Sequence, residues 1–134
     1  MREPGVGARR SGELNGDRIS AMPKPPLEFF RAASVPWTPD AGQPGAFERV
    51  LARDESSGML TRMLRWEPGV DTSHTGPVVH DYVEEVLVLA GSMRDLSLDE
   101  TFSAGDYACR PPGMVHGPWT TEEGCEMFEV RYRS

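Results

Sequence analysis

The residues best suited to bind a metal are three histidines, His74, His80 and His116, and the acid pair Glu84 and Glu85. Neutral imidazole nitrogens and a carboxylate oxygen together hold divalent first-row ions. In "HDYVEEVLVLAG" the apolar run after the acid pair reads as a strand, and alternate strand residues share a face. His80, Tyr82 and Glu84 then point one way and Glu85 the other, so a regular strand offers only one carboxylate of the pair. Glu84 has the parity of His80, and Glu85 stays as the alternative. His116 closes "GDYACRPPGMVH", where Pro111 and Gly113 make a rigid turn that aims it. The chain has no glycine-rich phosphate loop, no CxxC pair and no Ser-His-Asp arrangement. Nucleotide binding and nucleophilic catalysis therefore have no support.

The two stretches together resemble the two signature motifs of the cupin superfamily, G-x5-H-x-H-x3/4-E-x6-G and G-x5-P-x-G-x2-H-x3-N. The second is matched at Gly105, Pro111, Gly113 and His116, then departs at Thr120, where an asparagine is expected. The first is matched at His80, Glu84 and Gly91. It departs at Thr72, in place of the leading glycine, and at Val78, in place of the first histidine. The phrase "EEVLVLAG", followed by "AGDYACRPPGMVHGPW" and "CEMFEVRY", is most similar to small single-domain cupins of the ChrR-like and acetylacetone-dioxygenase-like type.

The resemblance implies a jelly-roll β-barrel with one divalent metal held by His80, Glu84 and His116. The ligand missing at Val78 has three candidate replacements. His74 can fold in from the preceding loop, Tyr82 can point at the same ion, or the position is left open to water and substrate. A face of two histidines and one carboxylate with open positions suits non-haem Fe(II) oxygen chemistry. Fe²⁺ is thus the expected ion, with Zn²⁺, Mn²⁺ and Ni²⁺ as alternatives. The expected activity is dioxygenase-type oxidation of a small oxygen-chelating organic substrate, with Glu84 and Tyr82 as catalytic residues. Its rivals are a metal-dependent isomerase, cyclase or decarboxylase, and a metal- or ligand-binding module without turnover. ChrR-like domains of anti-sigma factors bind zinc, but no sigma-binding domain is recognisable ahead of the barrel here.

Such a site needs strands to carry it. "FERVLARDESSGMLTRMLRW" reads as two strands around a Ser-Ser-Gly turn. "VVHDY", "EEVLVLAG", "SMRDLSL", "YACR" and "CEMFEVRYR" follow as short extended pieces between Gly/Pro turns. The last alternates, with Phe128, Val130 and Tyr132 on one face and Glu129, Arg131 and Arg133 on the other. Nothing keeps a helical period over ten residues. The fold class is all-β, an antiparallel jelly-roll barrel over residues 27–134 behind a disordered tail, 1–26, too rich in Gly, Pro and Arg to repay ordering. Most methionines and tryptophans are expected in the core, Trp119 as a pocket wall, and Arg62 and Arg65 on solvated outer faces unless they turn to the lumen.

The chain has 134 residues, net charge −7 and a single lysine, Lys24. An acidic chain with scattered arginines argues against a nucleic-acid partner. No apolar run approaches the length of a membrane span, and the N-terminal residues lack an apolar signal region. Two cysteines, Cys109 and Cys125, are too few for a disulfide framework and read as buried thiols in a reducing, cytoplasmic compartment. The expected partners are a small-molecule substrate and a second copy of the chain, since twofold dimers are the commonest oligomers.

Overall fold

A computed structural model describes residues 24–133; of the expected tail, 1–26, residues 1–23 lie outside the described residues, as does Ser134. Eight antiparallel strands form the fold: β1 (Thr38–Pro39), β2 (Ala46–Arg53), β3 (Leu60–Trp66), β4 (Val83–Asp95), β5 (Glu100–Ser103), β6 (Tyr107–Arg110), β7 (Trp119–Thr120) and β8 (Cys125–Tyr132). Two 3-10 turns, Ala32–Ser34 and Ser73–Thr75, are the only helical pieces among the described residues. The expected all-β jelly-roll barrel is the observed one.

Strand order is β1-β2-β3-β8-β4-β5, with β6 and β7 both pairing with β4. The sequence breaks β4 at Gly91, but the structure continues through it. Val83 to Gly91 pair with β8 and Glu84 to Leu87 with β6, whereas Ser92 to Asp95 pair with β5 and Arg94 and Asp95 with β7. One strand thus serves two sheets, and the change of partners at Gly91 folds them over a common lumen. Gly91 has φ 73°, and a Cβ there would lie 2.0 Å from the Gly124 carbonyl oxygen. Only glycine fits a position that combines positive φ with such close backbone approach, which explains the glycine at the end of the first motif.

The apolar end of the lumen is packed by Leu64, Val88, Met93, Trp119, Cys125 and Met127, with Trp66, Val86 and Phe102 against them. Met93 and Met127 fulfil the expectation of core methionines; Met114 is instead exposed on the loop before His116. At the other end β8 turns Glu129 and Arg131 inward, while Phe128 and Val130 face outward beside Met63 and Leu87. The strand alternates as expected, but its charged face is the inner one. The expectation of two buried thiols holds for Cys125; Cys109 lies on the outer face of β6 and is exposed.

Candidate metal centre

Three segments meet at the lumen mouth. Glu84 is the second residue of β4 and pairs across the sheet with Arg110 at the end of β6. The Pro111 turn follows at once: the Met114 N–H donates to the Pro111 carbonyl (3.2 Å), and the Gly113 N–H donates to the His80 carbonyl (2.9 Å). His116 is fixed beside Val78 by two reciprocal backbone bonds, from the Val78 N–H to the His116 carbonyl (2.7 Å) and from the His116 N–H to the Val78 carbonyl (2.9 Å). The proline-glycine turn therefore anchors both histidine segments.

Ligand-capable atoms of His80, Glu84 and His116 all lie within 4.8 Å of one another. His80 Nε2 is 3.7 Å from Glu84 Oε2, and His116 Nε2 is 3.6 Å from Glu84 Oε1. Burial, and then the positive charge of Arg110, pushes the His116 imidazole down to about 4. Burial followed by Arg131 lowers His80 as well. Both rings are therefore neutral at physiological pH and offer lone pairs. Two such nitrogens and one carboxylate, converging on one point at the edge of a cavity, are a donor set that fits a divalent ion.

Tyr82 lies flat against His80, with ring centroids 4.6 Å apart and planes at 12°. The Arg131 guanidinium covers the ring at 5.3 Å. His74 is not brought to the cluster. It lies exposed in the turn Ser73–Thr75, with Nε2 3.4 Å from the Gly42 carbonyl oxygen. That turn is held in place by the Ser73 N–H donating to Asp71 Oδ1 at 2.8 Å. Val78, at the site of the missing histidine, is among the residues that line the cavity. Glu85 faces outward and accepts hydrogen bonds from the hydroxyls of Tyr107 and Tyr132, the latter at 2.6 Å. Its carboxyl is held down by those two bonds. Of the acid pair, Glu84 alone faces the cluster.

Charged neighbours that the motifs do not announce complete the site. Arg110 Nη1 donates to Glu84 Oε1 at 3.2 Å. Glu129, 1% exposed, accepts from Arg62 Nε (2.7 Å) and Arg131 Nε (2.6 Å). Arg62 also donates to Glu48 Oε1 at 2.6 Å. Arg62 therefore faces inward but is already paired, whereas Arg65 is on the outer face near the rings of Trp37 and Phe47. Burial first, then the contact with Glu129, raises Glu84 to about 8, and the pull of Arg110 and Arg131 does not offset this. Burial also pushes Glu129 upward, but the Glu84 contact and the two arginines outweigh it, so Glu129 holds the negative charge of the pair. The one sequence signal for this network was the Glu-x-Arg alternation of β8.

The cluster opens into a cavity of about 650 Å³, within the range of small-ligand sites. The wall beyond His116 is apolar, formed by Val88, Met93, Phe102, Trp119 and Met127.

The profile of the ChrR cupin-like domain matches residues 28–133. The chain belongs to that cupin family. No curated protein matches it. Among solved structures, the anti-sigma factor ChrR of Rhodobacter sphaeroides, in complex with SigE, is similar at 23% identity and TM-score 0.57; the match covers 76% of this cupin and 51% of that chain. A provisionally assigned acetylacetone dioxygenase from Methylibium petroleiphilum is similar at 18% identity and TM-score 0.64, over 79% of this cupin and 76% of that chain. The polyketide cyclase RemF from Streptomyces resistomycificus is similar at 19% identity and TM-score 0.60, with 78% of each chain covered. At these identities the likeness is one of fold.

Proposed function

We propose that this cupin is a metal-dependent enzyme, a dioxygenase-type oxidoreductase that acts on a small oxygen-chelating organic substrate. The observation that carries the reading is the convergence of two neutral histidines and one carboxylate at the rim of a mostly apolar cavity. Fe²⁺ is the ion the reading favours, with Zn²⁺, Mn²⁺ or Ni²⁺ as alternatives; when bound it would supply Lewis acidity and one-electron chemistry with O₂. His80, Glu84 and His116 hold it, and Val78 leaves a coordination position open. Tyr82 fixes the plane of His80 by stacking, and the apolar wall excludes water from the substrate. The provisionally assigned acetylacetone dioxygenase shares the fold and supports an enol or diketone as the substrate type.

A second reading keeps the site and removes the redox step, giving a cyclase, isomerase or decarboxylase. RemF supports it through its fold, and the buried Glu84–Glu129 pair adds carboxylates able to hold or pass a proton. A protein-binding module is the third reading, on the likeness to ChrR. The reducing cytoplasm suits a chain with two unpaired thiols. A homodimer through the outer sheet face is supported by the exposed Leu87 and Leu89. The deciding experiment is O₂ uptake by protein loaded anaerobically with Fe²⁺ and mixed with acetylacetone. Uptake that depends on both components supports oxidation; tightly held zinc with no uptake rejects it.

A further inference from the structure

The charges around the cluster do not balance once a metal is added. Arg110 is 11% exposed, and among the described residues its one carboxylate partner is Glu84. A guanidinium carries five N–H donors, and that single bond uses one of them. The Arg110 side chain also lines the cavity, above the ring of Trp119 at 5.4 Å. With a dication between His80, Glu84 and His116, the charge of Glu84 is engaged by the ion. One divalent ion, one carboxylate and one guanidinium then leave two net positive charges in a largely buried place.

Among the described residues the other carboxylates that line the cavity already have partners: Asp40 lies 3.7 Å from Arg62 Nη1, and Asp106 accepts from the Ser103 N–H at 2.8 Å. Glu129 is engaged by Arg62 and Arg131. Asp95 accepts from the N–H groups of Ser97 (2.8 Å), Leu98 (3.0 Å) and Gly117 (3.3 Å). Buried charge without a partner is costly, so the missing negative charge has to enter from solution. Past Arg110 the wall is apolar, with Trp119, Phe102 and Met93 in succession.

We propose that Arg110 couples metal binding to an organic anion: the cavity takes a ligand whose anionic oxygens lie between the ion and Arg110, and whose apolar body fills the space beside Trp119 and Phe102. This rests on the metal reading above and adds the charge and shape of the ligand to it. By linkage the metal and the anion tighten each other by one factor.

The test is titration of the chelator-washed full chain with Co²⁺, followed by the visible absorption of the bound ion, without addition, with benzoate, or with its neutral isostere benzamide. In the wild type benzoate tightens Co²⁺ about tenfold, within the usual range of coupling between sites, and benzamide does not. Arg110→Gln binds Co²⁺ alone more tightly than the wild type and loses the benzoate effect, and Arg110→Lys retains part of it. Equal effects of benzoate and benzamide on the wild type overturn the proposal, as does a full benzoate effect in Arg110→Gln. The wild-type comparison needs no variant, so a poorly folded Arg110→Gln leaves the test intact. Absence of Co²⁺ binding in the wild type, with or without benzoate, overturns the metal reading together with this one. Co²⁺ that binds but ignores benzoate overturns this one alone.

Discussion

Replacing Glu84 by Gln should move stability in opposite directions with and without metal. In the metal-free protein Glu84 is buried, and burial with the Glu129 contact raises it to about 8. An unfolded glutamate titrates near 4.5. Between those two values folding must take up a proton that the unfolded chain does not hold. A carboxylate raised in this way weakens the folded state as pH climbs above 4.5, and the cost vanishes below it. At pH 6 the cost is on the order of 2 kcal/mol. Glutamine needs no proton, and its amide can still accept from Arg110 and donate to Glu129. Metal-free Glu84→Gln should therefore be more stable than the wild type at pH 6 and equal to it at pH 4.

With metal the sign reverses. Protein sites of about four ligands gain about 10–16 kcal/mol from zinc, or about 3 kcal/mol per ligand. Loss of the one anionic ligand should weaken binding about 10²-fold. At a metal concentration about a thousandfold above the wild-type Kd, the ion stabilises the wild type by about 4 kcal/mol and the variant by about 1.4 kcal/mol. Urea unfolding followed by circular dichroism, in EDTA and in Zn²⁺, reads both halves. A variant that is less stable than the wild type in EDTA at pH 6, yet gains as much from Zn²⁺, would refute the assignment of Glu84.

Glu85→Gln should leave metal affinity within about twofold of the wild type by calorimetry, because Glu85 is held on the outer face by Tyr107 and Tyr132. His74→Ala should be equally silent in the same titration, since His74 is exposed and remote from the cluster. Arg62→Met should cost about 3 kcal/mol in urea unfolding, because it strips a partner from the buried Glu129; a loss below about 0.5 kcal/mol would mean the pair contributes nothing net.

Much of the site was legible because its spacing is a consequence of geometry. Glu84 was legible as the second residue of β4, whereas His80 lies ahead of the strand, before the bend at Asp81 and Tyr82, so it reaches the lumen side through that bend and not through strand parity. The Pro111–Gly113 turn brings His116 back beside Val78. Strand parity also separated Glu84 from Glu85. Parity cannot say which face of a strand is inside, however. In the second half of β8 the apolar Phe128 and Val130 face outward because the lumen there holds a charged network, and that network forms from residues far apart in the chain, Arg62 and Glu129. Arg110 was hidden for the same reason: its cross-strand pairing with Glu84 depends on where β4 meets β6. The continuity of β4 through Gly91 was missed because a glycine ends a strand in sequence as readily as it bends one.

The central claim is that His80, Glu84 and His116 bind one ion. Metal content by inductively coupled plasma mass spectrometry, on protein purified without added metal, tests it most directly. The wild type should carry about one divalent transition-metal ion per chain, and a variant with all three residues changed to alanine should carry almost none. Equal metal in the triple variant, still folded by circular dichroism, would contradict the account.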